Sequence, residues 1–564
     1  MTVPRVRTTT QPVFEELAPS GEVELYHRTY TTLLRSSGET RLRVLEPAHQ
    51  SMGSSLHALA ATDELDLGAF IYATRRLPDE AFHARRVVLG QEAEQFARAG
   101  IGPLSEWTPV EAPARRRRWY ADGSGTMAVL LASASDLDDL IPTLVAYQLE
   151  WNKLHRRLLA APDLGDGDPD PASCASTLGG AEGDWERLDE AWGGELAARL
   201  DEVGRREMDL RIRMLGGSSV GYARMTRRWW TPVQDMLAEL GVADRPLYFV
   251  SSNTHSLANL LTGIPRTHEA EVVRWLEEQG PADLRDELER FRTGRTRGSW
   301  ENFLYYCGRA ALEPRGAEER AAGVTHLSSR TALRVSAQVM PLDRLRPELF
   351  DPRLGDVDAD ALAQSRGVIV NVEYPLGLAA YNILREITTA ADTLRAVYVL
   401  GKAATLNAAV GDVMISGVIH DEHSGSTYWL DNAFGVEDIA PYLLFGSGLD
   451  NQRAVTVKST FLQNREYLDM YYREAFTVVE MEAGPFCNAV YEIADVDRHP
   501  TGEAVNFSKL PLDLGIIHYA SDTPYTQART LGARGLDYFG MDSTYASTIA
   551  IARRILMLEG ALPG

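Results

Sequence analysis

Acidic side chains close two apolar runs near the end of the chain. Glu480, Met481 and Glu482 end the run FTVVEME, and Ser521 and Asp522 end the run GIIHYASD. A carboxylate at the end of a buried strand is costly to bury unless it has a partner or a use, so both places indicate a site. Two such acidic positions suit proton transfer to a polar substrate that they also bind. An equally good interpretation makes Asp522 a cap of a turn or helix.

Two glycines and a lysine follow other apolar runs. Gly377 lies between the run GVIVNV and a helical pattern, where the backbone can approach a ligand closely. A simple turn is the alternative. Gly401 and Lys402 come directly after the run AVYVL. Lys402 is placed to hold an anion, and the alternative is an exposed lysine beside a turn.

The elements that carry these residues alternate after about residue 331. Runs rich in β-branched residues, such as GVIVNV, AVYVLG and GIIHYASD, are separated by helical patterns. Because the runs are apolar throughout, they are typical of strands covered on both faces, as in an α/β sheet between helices. Ligands of such sheets bind at the carboxyl ends of the strands. We therefore predict an α/β domain over residues 331–564 with its site at those ends.

The chain before residue 331 has a different pattern. Residues 1–20 are polar and are predicted to be flexible, and residues 21–330 to form a mostly helical α+β region of unknown role. A long amphipathic helix is predicted to begin at Ser135 and Asp136. Residues 161–184 are dense in Gly, Pro and Asp, which predicts a loop. The basic run at residues 115–118 is interpreted as a solvated edge or a contact between subunits rather than a nucleic-acid contact.

Composition excludes several function classes. The 564 residues carry 57 Lys and Arg against 79 Asp and Glu, a net charge of −22 that opposes binding to nucleic acids and anionic membranes. No apolar run is long enough to span a bilayer. The three cysteines have no metal-ligand spacing and fit a reducing compartment. We expect a cytoplasmic protein with neither metal nor cofactor.

Four segments together resemble a known superfamily. GVIVNVEYPLGLAAYNILREI, VYVLGKAATLNAAVGDVMI, VVEMEA and IIHYASDTP occur in the order and rough spacing of the purine nucleoside phosphorylase and nucleosidase superfamily. SDTPY and HDEHSGSTYW are most similar to AMP nucleosidase, which also carries an extra N-terminal domain. The resemblance covers residues 331–564. It implies a phosphorylase-like mixed sheet flanked by helices in the C-terminal domain.

The resemblance also implies roles for individual residues. Asp522 would be the general acid that protonates purine N7. Glu482 would accept hydrogen bonds from the ribose hydroxyls, Met481 would pack on the sugar, and Phe461 would stack near the base. The remaining substrate-binding positions are Glu480, Gly377, Gly401, Lys402 and Ser521. An acid at the base and a carboxylate at the sugar would favour the transition state of glycosidic cleavage.

Departures from the superfamily pattern bear on the nucleophile. Ala404 replaces a glycine that lets the backbone approach the nucleoside, and Val399 stands where a phosphate-binding arginine is usual. These losses favour hydrolysis by water of a purine nucleotide or nucleoside, with any phosphate of the substrate held by Lys402. Phosphorolysis is the first alternative, and a catalytically inactive nucleotide-binding regulatory or scaffold protein is the second. The resemblance further implies a homo-oligomer.

Overall fold

A computed structural model describes residues 21–36, 38–164, 169–312, 314–390, 393–494, 501–507, 509–523 and 540–563. The predicted flexible segment 1–20 lies outside the described residues, as do residues 165–168 of the predicted loop. No helix in the described ranges is long and apolar enough to cross a membrane.

Helices occur throughout the described chain. The α-helices are α1 (Gly21–Ser36), α2 (Glu46–Ser51), α3 (Leu67–Thr74), α4 (Ala93–Arg98), α5 (Ser135–Ala160), α6 (Pro171–Leu178), α7 (Glu182–Ala191), α8 (Leu196–Arg205), α9 (Ser219–Glu239), α10 (Ser256–Thr262), α11 (Ile264–Thr267), α12 (Glu269–Gln279), α13 (Ala282–Arg292), α14 (Trp300–Ala311), α15 (Gly316–Ala321), α16 (Ala359–Gln364), α17 (Leu378–Ala390), α18 (Val436–Ile439), α19 (Arg465–Arg473), α20 (Ala483–Ala494) and α21 (Met541–Leu558). Short 3-10 helices span Leu42–Leu45, Asp79–His83, Leu104–Glu106, Pro162–Leu164, Leu342–Arg344, Pro347–Leu349, Pro352–Leu354, Ala440–Tyr442 and Thr460–Leu462.

Strands are distributed over both halves of the chain. They are β1 (Thr40–Arg41), β2 (Arg86–Gly90), β3 (Thr108–Ala112), β4 (Arg115–Ala121), β5 (Thr126–Leu130), β6 (Arg211–Met214), β7 (Leu247–Ser252), β8 (Thr325–Leu327), β9 (Ala337–Pro341), β10 (Val368–Glu373), β11 (Leu394–Thr405), β12 (Val413–Asp421), β13 (Ser426–Trp429), β14 (Gly448–Thr456), β15 (Val478–Glu480), β16 (Ala504–Asn506) and β17 (Asp513–Asp522). The chain is therefore a mixed α/β protein, as predicted.

The N-terminal half is built on a six-stranded sheet and one long helix. Its strand order is β1-β6-β2-β5-β4-β3 among the described residues. Helix α5 begins at Ser135 as predicted, and its apolar positions, including Leu140, Leu144 and Trp151, are fully buried. The 3.6-residue periodicity of those positions places them on one face, which explains why the sequence predicted the helix.

The larger sheet has eleven strands in the described chain and positions the strand ends of interest. Its path is β16-β13-β12-β14-β15-β11-β7-β10-β9-β8, and β17 pairs with both β11 and β12. Those last pairings close β12, β14, β15, β11 and β17 into a ring. Strands β10, β7, β11 and β17 run parallel, so their carboxyl ends meet at one edge.

Two predicted boundaries need correction. Strand β7 (Leu247–Ser252) lies at the centre of the larger sheet, between β10 and β11, although a boundary at residue 331 places it outside. The predicted loop at residues 161–184 contains helix α6 and the start of α7. Asp170, one of the aspartates that suggested the loop, accepts a hydrogen bond from the Ser173 N–H at 2.7 Å and caps α6.

The two halves share one hydrophobic core. Buried residues of α5 and of the six-stranded sheet belong to the same cluster as Ala404, Val457 and Val479 of the larger sheet. The N-terminal half therefore packs directly on the edge where the parallel strands end.

Candidate active site

A cavity of about 450 Å³ lies at this junction. Residues of α5, β4 and the segment after α3 line one side, and the ends of β11, β15 and β17 line the other. Most sequence-predicted site residues line it, namely Gly377, Lys402, Glu480, Met481, Glu482, Ser521 and Asp522. Phe461 and Gly401 are not among the lining residues.

Asp522 is the last residue of β17 and is only 3% exposed. Its Oδ2 has no hydrogen-bond partner among the described residues, and its Oδ1 lies 3.4 Å from the Ser521 hydroxyl. Burial raises the pKa of Asp522 to about 6, against the hydrogen bond from Ser521 and the charges of Lys402 and Arg76. An unpartnered carboxyl with this pKa can exchange a proton with a ligand near neutral pH.

Glu482 lies at the same edge and is also buried, at 3% exposure. Its Oε2 accepts a hydrogen bond from the Ser251 hydroxyl of β7 at 3.1 Å. A Cβ added at Gly401 would lie 2.2 Å from Glu482 Oε1, so the glycine makes room for this carboxyl. Burial, reinforced by Glu480, holds the pKa of Glu482 well above its usual range. The carboxyl can then both donate and accept hydrogen bonds.

Both carboxylate oxygens of Glu480 accept hydrogen bonds from nearby donors of the protein. Its Oε2 accepts hydrogen bonds from the Glu482 and Ala483 N–H groups at 2.6 and 2.8 Å, and its Oε1 accepts from the Thr456 hydroxyl. The two N–H groups stand at the start of α20, so Glu480 caps that helix. Burial raises the pKa of Glu480, but His518 and these donors outweigh burial and keep it below its usual range. Glu480 lines the cavity, and we interpret it as an ionised positioning residue, while its role as a substrate ligand stays a prediction.

Gly377 and Met481 are joined by a backbone contact. The Gly377 N–H donates to the Met481 carbonyl at 2.7 Å, which fastens the start of α17 to the end of β15. Gly377 has a φ of 55°, and a Cβ there would lie 2.4 Å from the Ser135 hydroxyl oxygen. Both the conformation and the close approach of α5 therefore require glycine.

Gly401 and Lys402 do not lie in a turn. Strand β11 continues through them to Thr405, paired with β17 along its length. Because alternate residues of a strand face opposite sides, Gly401 lies against Glu482 while Lys402 is exposed within the cavity. Solvent therefore reaches the cavity at Lys402.

Register on β11 sets the separation of the two acidic positions. Asp522 pairs with Ala404 of β11. Gly401, three residues earlier on the same strand, lies beside Glu482. At about 3.3 Å per residue, the two positions are about 10 Å apart along the strand. That spacing leaves room for a sugar at one and a base at the other.

Phe461 does not stack over the cavity. Its ring is fully buried and contacts the rings of Tyr72, His49 and His57, with centroids 5.2, 6.0 and 6.3 Å away. The predicted role beside the base is therefore wrong, and Phe461 joins the two halves of the protein. Its neighbours Thr460 and Gln463 line the cavity instead.

Arg76 and Gln463 are among the lining residues that sequence reasoning missed. Arg76 is 4% exposed, and Gln463 is 1% exposed. The Nε of Arg76 and both amide atoms of Gln463 lack hydrogen-bond partners among the described residues. Neither residue stands in a recognisable motif, so no local signal could have found them.

Three arginines of the basic run line the cavity, of which Arg117 is buried, Arg115 half-buried and Arg116 exposed. The run forms strand β4, where Arg115 and Arg117 pair with Asp139 of α5 at 2.9 and 2.7 Å. Arg116 donates to the carbonyl oxygens of Glu373 and Tyr374 at 3.1 and 2.9 Å. A solvated edge is therefore wrong for Arg117, which is buried, and Arg116 joins the N-terminal half to the end of β10. The contact between subunits stays a prediction.

Residues 42–557 match the family of unknown function DUF6909. The chain belongs to this family. No protein with a curated description matches the sequence. The family match spans both halves and includes every residue that lines the cavity.

Solved structures with some likeness to this family member include two nucleosidases and a phosphorylase. The 5′-methylthioadenosine/S-adenosylhomocysteine nucleosidase of S. pneumoniae is 13% identical, with 55% of this chain and 99% of that chain covered and a TM-score of 0.29. The S-adenosylhomocysteine nucleosidase of Streptococcus pyogenes is 10% identical, with 56% and 98% covered and a TM-score of 0.30. The uridine phosphorylase of Schistosoma mansoni is 10% identical, with 57% and 91% covered and a TM-score of 0.29.

Proposed function

We propose that the protein hydrolyses the N-glycosidic bond of a purine nucleotide or nucleoside. The observation that carries the proposal is Asp522, a buried carboxyl with a pKa of about 6 and an oxygen that has no partner among the described residues, which shares a cavity with Glu482. The resemblance of the sequence motifs to the purine nucleoside phosphorylase and nucleosidase superfamily supports a substrate with a purine base and a ribose. In keeping with that resemblance, the proposed enzyme is a homo-oligomer, and its sparse cysteines favour the cytoplasm.

Asp522 acts on the leaving group. Cleavage of the glycosidic bond places negative charge on the departing base, and protonation at N7 neutralises that charge. A carboxyl with a pKa of about 6 is protonated often enough near neutral pH to donate this proton. Ser521, whose hydroxyl lies 3.4 Å from Asp522 Oδ1, orients the carboxyl.

The sugar binds at Glu482. The carboxyl of Glu482 exchanges hydrogen bonds with the ribose hydroxyls, and Ser251 holds it in place. Glu480 stays ionised behind it, so the pair keeps a negative charge beneath the sugar as positive charge develops there. Gln463 offers an unpartnered donor and acceptor to the polar edge of the base.

Water is the nucleophile in the first proposal, and inorganic phosphate in the second. Lys402, a cation of the cavity with no carboxylate within 4.0 Å among the described residues, fits both reactions, because it can hold a phosphate of the substrate or inorganic phosphate. The two reactions differ in one measurable requirement, which is the need for phosphate.

The test is release of free base from adenosine, inosine, guanosine and their 5′-monophosphates, followed by chromatography with and without phosphate. Release without phosphate supports hydrolysis, and release only with phosphate supports phosphorolysis. If none of these compounds releases base under either condition, the proposed reaction is refuted.

A further inference from the structure

The cavity is rich in cations although the protein as a whole is acidic. Seven cationic side chains line it, against five carboxylates, while the chain carries a net charge of −22. The cationic residues are Arg76, Arg115, Arg116, Arg117, Arg334, Lys402 and Lys458. A local positive field of this kind concentrates anionic ligands.

Four of the seven cations already have carboxylate partners. Arg115 and Arg117 pair with Asp139, Arg116 pairs with Glu373 at 3.1 Å, and Arg334 pairs with Glu111 at 2.7 Å. The charges of these four arginines are therefore balanced by carboxylates of the protein itself.

The remaining three cations of the cavity are Arg76, Lys402 and Lys458. None of the three has a carboxylate within 4.0 Å in the described part of the chain. Lys402 is exposed within the cavity, and Lys458 is half-buried. These three side chains, which we call the free cations, come from both halves of the protein.

Arg76 is the strongest indication of a ligand. Its guanidinium carbon lies 3.2 Å from the centroid of the Tyr72 ring, and Nη1 donates to the Tyr72 carbonyl at 3.1 Å. Its Nε has no partner in the described chain. A buried cation without a counter-ion is costly, and burial lowers the pKa of Arg76 to about 10. An anion in the cavity would offset that cost and satisfy the free donor.

We propose that Arg76, Lys402 and Lys458 form a phosphate-binding pocket, so that the ligand brings a phosphate group into the cavity. The inference rests on the proposed glycosidic cleavage and names its substrate class. The phosphate is either carried by a purine nucleotide or supplied as inorganic phosphate beside a nucleoside. Arg76 recognises it from the N-terminal half, which makes that half part of the site.

Calorimetric titration of the full chain tests the pocket without requiring turnover. The probes are the 5′-monophosphates of adenosine, inosine and guanosine, their parent nucleosides, and inorganic phosphate. We expect Lys402→Gln and Arg76→Gln each to weaken phosphate or nucleotide binding about 10- to 100-fold, the effect of one charge-assisted hydrogen bond. Nucleoside binding should stay within about twofold. Arg76→Lys should recover part of the loss because it keeps the charge.

Arg334→Gln is the matched control. It removes the same charge from the same cavity, but from an arginine already paired with Glu111. It should leave nucleotide binding unchanged. If Arg76→Gln does not fold, Lys402→Gln decides alone, because this exposed side chain has no hydrogen-bond or ion-pair partner to lose in the part of the chain that the structure describes.

The results distinguish a phosphate carried by the substrate from inorganic phosphate. They also distinguish failure of the phosphate pocket from failure of the proposed cleavage reaction. A nucleotide that binds at least 10-fold more tightly than its nucleoside supports a phosphate on the substrate. Inorganic phosphate that tightens nucleoside binding supports a co-substrate. Nucleotide binding that depends on Lys402 without any base release would support the pocket and refute the reaction. Equal binding of nucleotides and nucleosides, with no binding of phosphate, would overturn the pocket.

Discussion

Replacing Asp522 by asparagine removes the proposed acid and keeps its shape. The side chain is buried and its Oδ2 has no partner in the described chain, so the amide breaks no established contact at that atom. Any loss of activity should therefore come from the missing proton. The same change also removes a buried charge, which gives the prediction a second readout.

The expected effect on catalysis is large. General acid catalysis of this kind contributes about 10²- to 10⁴-fold, so kcat/KM of Asp522→Asn should fall by that factor. In the wild type, a pKa of about 6 means that the protonated fraction decreases about tenfold for each pH unit above 6. Activity of the wild type should follow that decrease, while the variant should lack it.

Asp522→Asn is expected to lower activity but to raise the stability of the fold above about pH 6. The pKa of Asp522 is about 6 in the folded protein against 3.8 for the unburied group. Between these values the folded state holds a proton that the unfolded state has lost, so stability falls as pH rises from about 4 to about 6 and is then level. The difference of about two units corresponds to about 3 kcal/mol. Asp522→Asn avoids this loss and should be more stable than the wild type at pH 8.

Base release and urea unfolding at several pH values from 5 to 8 measure both effects. Asp513→Asn is the control, since Asp513 starts the same strand about 30 Å away and pairs with Arg554 at 3.0 Å. It should keep its activity and lose stability. A variant Asp522→Asn that releases base at nearly the wild-type rate would refute the role of Asp522.

Three further substitutions test other parts of the site. Glu482→Gln should lower kcat/KM for base release about 10- to 100-fold, because it weakens hydrogen bonds to the ribose. Circular dichroism should show an unchanged fold. Gly401→Ala should lower activity, since its Cβ would lie 2.2 Å from Glu482 Oε1; a wild-type rate would contradict that contact. Phe461→Ala should destabilise the protein by about 3–5 kcal/mol in urea unfolding, because it opens a cavity in the core.

The strand ends that carry chemistry could be predicted from the sequence. Apolar runs such as GIIHYASD are buried on both faces of the sheet, and the first polar residues after them stand at its edge. Because this pattern is local, Glu482 and Asp522 were found without any knowledge of their neighbours. The roles assigned to them remain proposals.

The local sequence pattern could not distinguish the role of Glu480 from that of Glu482. Both are acidic residues at the end of one strand, yet one caps α20 and the other faces Ser251, a residue 231 positions away. The choice depends on which donors the fold brings near each carboxylate. The same reason explains Phe461, whose surroundings come from residues near position 50 and from Tyr72.

The sequence by itself determined the alternation of strands and helices and the acidic ends of two strands, because hydrophobic periodicity decides burial over short stretches. Only the tertiary structure decided that Arg76, Gln463 and the arginines of β4 belong to the same cavity as Asp522. Arg76 and the arginines of β4 are hundreds of positions from Asp522, and the packing of the N-terminal half on the sheet edge brings them together. Packing across such distances depends on the shapes of whole elements, which no short motif records.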